Sequence, residues 1–316
     1  MTQRRADLLL VLISAIWGTT FTVVHEVVVG FPALMLITLR FGFAAAVFIP
    51  LLIRQRHALS RQGMLVGALL GGLLFLGFVT QTFGLQYTTP ARAGFITGLN
   101  VVLVPIIGLG FGLRPPARAI FGVVLAVGGL VVLSWGCNLA WLGCSTGNTI
   151  VPEQQLGDVL VLACAVAFAL HIVAVSRWAT RLPVLPLNAV QLIVVAALAL
   201  IATSITTSPL PRPTLPVLSA ALFLGLVATA LVFALQLLLQ RYTSATHTAL
   251  IFALEPVFAA FFSWLWIREA LTSAVWVGGA LMLLGVIVAE MPVGWQLWNS
   301  RIMRRIRMNA LPGSET

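Results

Sequence analysis

Ten stretches of about 20 predominantly apolar residues follow one another along the chain, and they limit the fold more than any other feature. A helix of about that length crosses a hydrocarbon core of roughly 30 Å. Lipid offers no hydrogen bonds to the backbone, so each run has to be helical. The predicted spans are residues 8–29, 34–53, 64–86, 93–111, 119–135, 159–175, 185–205, 215–239, 248–267 and 274–289.

The composition excludes a water-soluble protein. Hydrophobic residues make up 60% of the 316 positions and charged residues 8%, whereas soluble proteins carry charge at about a quarter of their positions. We therefore expect an all-α integral membrane protein. The chain has no lysine, its acidic residues are scattered, and it shows no HExxH or Cys/His metal pattern, so we expect neither an enzyme nor a cofactor or metal.

The arginines indicate how the helices are oriented. With the N-terminus inside, the inner segments hold fourteen arginines, and the outer ones hold Arg92, Arg212 and Arg268. This bias follows the positive-inside rule and predicts that both termini are cytoplasmic. The net charge of +10 is then a topology signal and does not indicate nucleic-acid binding.

The C-terminal tail, residues 291–316, combines arginines with a stripe of Trp295, Trp298, Ile302 and Ile306. This pattern is typical of a helix lying on an anionic cytoplasmic leaflet, so membrane lipids are an expected partner. A disordered basic tail is the alternative.

The two halves of the sequence can be aligned on each other. Polar and aromatic positions match at offsets that drift from 151 to 156 residues: Asp7 with Asp158, Trp17 with Phe168, Thr20 with His171, Arg40 with Gln191, Gln81 with Gln236, Asn100 with Glu255, Gly122 with Gly278 and Gly129 with Gly285. The alignment predicts a five-helix unit over residues 6–136, an outer loop over 137–157, a second five-helix unit over 158–290, and the tail.

Five is an odd number, so the second unit enters the membrane from the opposite side. The sequence therefore predicts ten transmembrane helices built as two inverted repeats. Many secondary transporters use this arrangement to alternate access to a site at the bilayer midplane.

Several motifs resemble a known family. They are Trp17-Gly18-Thr19-Thr20-Phe21, Arg40-Phe41 and Tyr87-Thr88-Thr89-Pro90-Ala91-Arg92-Ala93-Gly94 in the first half, and Leu254-Glu255-Pro256 and Arg268-Glu269-Ala270 in the second. Together they resemble the two units of the EamA-type family of the drug/metabolite transporter superfamily. In one departure, Arg114 stands where the family's first unit usually has a glutamate, so a role of that glutamate carries over to Glu269 only.

The resemblance implies a carrier in the bacterial inner membrane that moves small metabolites, often amino acids and often outward, through a central cavity. A secondary transporter, with or without proton coupling, is our leading interpretation. An uncoupled facilitator or channel-like uniporter is the alternative. The sequence leaves substrate identity and oligomeric state open, a homodimer included.

Glu255 is the leading candidate for binding or coupling. It is predicted near the bilayer centre, where an ionised carboxylate costs a few kcal/mol or more. Pro256 lacks an N–H and therefore frees the backbone carbonyl one turn back, near Phe252. Glu255 is either a substrate-amine or proton site, or a structural residue bonded to a neighbouring helix.

The other candidate substrate-binding residues are matched between the halves. Asn100 is the counterpart of Glu255, with Thr97 one turn away, and an interhelical hydrogen bond is the alternative for these two. Trp17 with Thr20, and Phe168 with His171, form a second matched set that can line a cavity or simply pack. His171 is also a candidate for coupling, because histidine titrates near neutral pH.

Gln81 and Gln236 are predicted near opposite ends of their helices, which suggests gates, although interhelical bonding is the commoner use of membrane glutamine. Arg40 and Glu26 are predicted to form a structural ion pair near the outer surface. Cys137 and Cys144 fall in the outer loop, where a disulfide or two free thiols are both open, and Cys164 is expected to be buried.

Overall fold

The structure, a computed structural model, describes residues 3–55, 57, 60–110, 117–135, 152–178, 182–206, 209–239 and 251–290. These residues form helices and connecting turns, and this part of the chain contains no strand. The helices are α1 Gln3–Val28, α2 Ala33–Arg54, α3 Arg61–Gly84, α4 Pro90–Gly98, α5 Asn100–Leu109, α6 Ala117–Trp135, α7 Pro152–Trp178, α8 Val184–Thr206, α9 Leu215–Leu222, a π-helix Phe223–Leu231, α10 Val232–Leu239, α11 Glu255–Ile267 and α12 Ser273–Glu290.

Seven helical segments among these residues are long and apolar enough to cross a membrane. They are Arg5–Val28, Ala33–Arg54, Arg61–Gly84, Pro90–Leu109, Pro152–Val175, Leu185–Thr206 and Leu215–Leu235. Three shorter apolar helical segments are Ile120–Leu133, Glu255–Ile267 and Ser273–Val288. Each predicted apolar run overlaps at least one helix, so the described residues are all-α, and their long apolar helices indicate a multi-pass membrane protein.

Local sequence accounts for several helix ends. The Ser60 hydroxyl accepts a hydrogen bond from the Gly63 N–H and so caps α3, and Thr89 caps α4 in the same way. At the end of α11, Arg268 adopts the left-handed conformation with φ 55°. The α7 helix begins at Pro152, so the second part of the predicted outer loop, through Gly157, is helical.

Two matching kinks interrupt apolar helices. Between α4 and α5, the Leu99 N–H donates to the Ile96 carbonyl at 3.1 Å, three residues back rather than four. Before α11, the Leu254 N–H donates to the Ile251 carbonyl at 3.0 Å in the same pattern. The two kinks lie 155 residues apart, which is the offset of the sequence alignment at this point.

A π-helix over Phe223–Leu231 has no counterpart in the first half, since the aligned part of α3 is an ordinary α-helix. Such wide turns are rare and often occur at functional sites. Here Gly225 lets α2 approach closely, because a Cβ on Gly225 would lie 2.5 Å from the Arg40 carbonyl oxygen.

Glycines also bring α6 and α12 into backbone contact. A Cβ on Gly278 would lie 2.8 Å from the Gly129 carbonyl oxygen, and a Cβ on Gly285 would lie 2.5 Å from that of Gly122. Because Gly122 aligns with Gly278 and Gly129 with Gly285, the two contacts join equivalent positions in exchanged order. We call these four residues the glycine seam.

Candidate substrate-binding site

The Trp17 side chain on α1 makes one hydrogen bond and two aromatic ring contacts. Its Nε1–H donates to the Ala228 carbonyl in the π-helix at 3.0 Å. Its ring packs on Phe233 and Phe252, with centroids 5.7 and 5.2 Å away. The Thr20 hydroxyl donates to the Trp17 carbonyl at 2.7 Å, so Thr20 uses its hydrogen within α1.

Phe168 on α7 occupies the position aligned with Trp17 and packs on Phe78 at 5.3 Å. Phe78 aligns with Phe233 at the offset of 155. The Phe168–Phe78 and Trp17–Phe233 contacts therefore join equivalent positions. The described residues show no ring contact between Trp17 and Phe168 themselves.

Arg40 does not form the expected ion pair with Glu26. Its Nε–H donates to the Thr229 hydroxyl at 2.9 Å, and its guanidinium carbon lies 4.5 Å from the centroid of Phe78. The Arg40 side chain is buried, whereas Glu26 is exposed. The ion-pair prediction was wrong because α2 turns Arg40 toward the π-helix and α3 rather than toward the exposed face of α1.

A buried polar contact joins α3 to α4. The Gln81 amide donates to the Thr97 hydroxyl at 3.3 Å. The Thr97 hydroxyl also lies near the Cys164 thiol of α7. Cys164 is fully buried, as expected.

Glu255 and Asn100 occupy equivalent places at the two kinks. Asn100 is the first residue of α5, and Glu255 is the first residue of α11. A half-helix N-terminus presents free backbone N–H groups, and discontinuous helices of this kind surround the sites of several transporter folds. Each side chain is partly buried at this point.

His171 contributes to a separate polar chain between α7 and α8. Its Nε2 lies 3.0 Å from the Gln191 Oε1, and the Gln191 amide donates to the Asn188 side-chain oxygen at 2.6 Å. Gln191 aligns with Arg40, so equivalent positions are polar and buried in both halves.

A second buried polar cluster was missed as a site by sequence reasoning. Arg92 on α4 forms an ion pair with Asp158 on α7, which also accepts from the Thr88 hydroxyl at 2.7 Å. Arg92 donates further to the Leu133 carbonyl of α6. The match of Asp158 with Asp7 is the available sequence signal, since Arg92 stands out only as an outer charge and as part of the family-like motif.

Glu269 ties α11 to α4. Its carboxylate accepts from the Ala91 N–H at 3.2 Å and from the Ser263 hydroxyl. The negative charge also lies at the N-terminus of α4, where the helix dipole favours an anion. This glutamate is therefore structural in its contacts.

Several predicted residues lie outside the described part of the chain. These are Cys137, Cys144, Arg114 and the tail over residues 291–316, together with the side chain of Gln236. The Gln236 gate and the disulfide remain predictions.

Comparison with known proteins establishes the family. The model of the EamA-like transporter family matches residues 4–135 and, separately, residues 155–291. The chain belongs to the EamA-like transporter family. The model thus matches the chain twice, once in each half.

Relatives of this EamA-like protein carry the same general assignment. An uncharacterized transporter of Archaeoglobus fulgidus is 34% identical over 289 residues, which cover 91% of this chain and 86% of that protein. The uncharacterized transporter YoaV of Bacillus subtilis is 24% identical, covering 87% and 93%. A crystal structure with 23% sequence identity shares the fold, with a TM-score of 0.63 over 90% of this chain and 96% of that one. The family and these relatives make the protein a membrane transporter.

Proposed function

We propose that this EamA-like protein is a secondary transporter that exports amino acids or similar zwitterionic or amphipathic metabolites. It works by alternating access around a site at the membrane centre, formed by Trp17, Thr97, Asn100, Phe168 and Glu255. The observation that carries this proposal is the equivalent placement of Asn100 and Glu255 at two kinked helices. An amide and a carboxylate at these two helix breaks provide polar groups in an apolar bundle.

The proposal includes an inverted repeat of ten helices. Its support is the pairing of equivalent positions in the glycine seam, in the Trp17–Phe233 and Phe168–Phe78 contacts, and in the kinks at Leu99 and Leu254. An approximate twofold axis in the membrane plane relates such pairs, and it gives a carrier two access states of similar energy. The arginine bias supports cytoplasmic termini, and a site on this axis would then lie midway between the two faces of the inner membrane.

Glu255 is the proposed coupling residue, because it is a partly buried acidic side chain at the first residue of α11, inside the apolar bundle. His171 is a weaker candidate, since Gln191 already occupies its Nε2. In a coupled cycle, Glu255 exchanges a proton for the amine of the substrate, so that occupancy by one excludes the other.

Flux into proteoliposomes tests the proposal. Purified protein is reconstituted, a proton gradient is imposed, and uptake of labelled neutral amino acids is followed over time. Accumulation above the external concentration supports coupled transport. Equilibration without accumulation supports the uncoupled facilitator, and the absence of any amino-acid flux contradicts the proposed substrate class.

Glu255→Gln is the matching variant, with Glu153→Gln as the control because Glu153 is exposed in the first turn of α7. The Gln variant should retain counterflow exchange but lose accumulation and its dependence on pH. Unchanged accumulation in Glu255→Gln contradicts the coupling role while leaving transport itself intact.

A further inference from the structure

Arg40 is a buried cation without an acidic partner in the described part of the chain. Its relative exposure is 5%, and its recorded polar contact there is the neutral Thr229 hydroxyl. A charged side chain at membrane depth is expensive unless it is paired, lies in a polar cavity or serves a ligand. Arg40 aligns with the neutral Gln191, so the charge is not required by the fold of both halves.

The two terminal guanidinium nitrogens of Arg40 have no hydrogen-bond acceptor among the described residues. Thr229 takes the Nε–H, and neither terminal nitrogen donates to a described residue. The Phe78 ring centroid lies 4.5 Å from the guanidinium carbon, a distance at which the ring attracts the cation. A planar guanidinium with its terminal N–H groups available matches the two oxygens of a carboxylate.

The surroundings of Arg40 connect it to the proposed site. Phe78 also contacts Phe168, so the guanidinium and the Phe168 ring share one aromatic neighbour. On the other side, Arg40 binds Thr229 while Trp17 binds the preceding residue, Ala228. The π-helix thus binds both Arg40 and Trp17 through successive residues.

We infer that Arg40 binds the carboxylate of the transported substrate, and that the substrates are small monocarboxylates with an apolar or aromatic side group. The side group packs against Phe78 and Phe168, and the amine, where present, is left to Glu255. This inference rests on the proposed transport function but makes a separate claim, that recognition depends on the carboxylate.

The test uses three probes that differ in one group each. L-phenylalanine carries both carboxylate and amine, phenylpropionate lacks the amine, and phenethylamine lacks the carboxylate. Binding is measured as thermal stabilisation of the purified full-length protein, and transport as counterflow in proteoliposomes. We expect L-phenylalanine and phenylpropionate to stabilise the wild-type protein, and phenethylamine to leave it unchanged.

The variants are Arg40→Lys, Arg40→Gln and the control Arg54→Gln, an exposed arginine at the end of the same helix. Arg40→Gln should raise KM roughly 30-fold or more, as expected for losing a buried charge-assisted pair. Arg40→Lys keeps the positive charge but lacks the planar pair of N–H donors that binds both carboxylate oxygens. It should raise KM about tenfold with kcat largely retained. Arg54→Gln should behave as wild type.

Three results overturn the inference: phenethylamine binds as well as phenylpropionate, no carboxylate stabilises the protein, or the Arg40 variants lower only the ligand-free melting temperature. If Arg40→Gln does not fold, the KM of Arg40→Lys is the test instead, and an unchanged KM overturns the inference. Stabilisation that depends on Arg40 without flux of any probe supports the carboxylate site and contradicts the transport function. Flux of phenethylamine alone supports the transport function and contradicts the carboxylate site.

Discussion

Arg92 and Asp158 form a buried ion pair that joins α4 to α7, and the Leu133 carbonyl extends it to α6. Removing one partner of such a pair strands a buried charge and costs about 3–5 kcal/mol. Asp158→Asn should therefore lower the melting temperature of the purified protein sharply. Glu153→Gln on the same helix is the control, since Glu153 is exposed. Equal melting temperatures for the two variants would count against the ion pair as a structural anchor.

The contact between Gly77 and Phe168 predicts an intolerance to side chains. A Cβ on Gly77 would lie 2.7 Å from the Phe168 Cδ1, whereas a Cβ on Gly72 of the same helix meets no atom within 4 Å. Gly77→Ala should destabilise the protein by about 1–3 kcal/mol through overpacking. Gly72→Ala should be neutral or stabilising, because alanine favours the helix. Both effects are read from thermal unfolding.

A second substitution tests whether contact with Phe168 causes the loss of stability in Gly77→Ala. Adding Phe168→Leu to Gly77→Ala should restore part of the stability, since the smaller side chain makes room for the new Cβ. A double variant that is less stable than the sum of the two single changes contradicts the proposed contact.

The role of Gln81, as a gate or as an interhelical hydrogen-bonding residue, can be tested through its hydrogen bond with Thr97. A double-mutant cycle with Gln81→Leu and Thr97→Val should give a coupling of about 0.6 kcal/mol, the average for such bonds in membrane proteins. Thr80→Val is the control, because the Thr80 hydroxyl bonds within its own helix. A change in transport rate without any coupling in stability would favour the gate.

Labelling of Cys164 measures access to the region around Thr97. In a background with Cys137→Ser and Cys144→Ser, N-ethylmaleimide should modify the fully buried Cys164 slowly and abolish transport by adding bulk there. Substrate counterflow should change the labelling rate if the cycle exposes this region. Transport by Cys164→Ser should resist the reagent, and equal inactivation of that variant would place the sensitive group elsewhere.

The apolar runs predicted the helices well because length and hydropathy alone decide what spans lipid. The kinks at Leu99 and Leu254 were not predicted, although the proline at Pro256 pointed to a free carbonyl in the second half. Nothing in the sequence over Phe223–Leu231 predicted a π-helix, since its residues suit an ordinary helix equally well.

Side-chain partners were the harder part. The repeat paired Trp17 with Phe168 and Asn100 with Glu255, yet it could not tell which helix each would face. Arg40 shows the limit most clearly: proximity along the chain suggested Glu26, whereas packing against α3 and the π-helix provided Phe78 and Thr229. Such contacts between distant segments depend on how the helices rotate about their own axes.

The glycine seam between α6 and α12 has a mechanical consequence. Where backbones touch with no side chains between them, the two helices pack closely over the whole contact. In the proposed cycle we therefore expect α6 and α12 to move as one rigid unit, and the other helices to open the site toward either face of the membrane. Distances between labels on α6 and α12 would stay constant through a cycle in which those across α3 and α10 change.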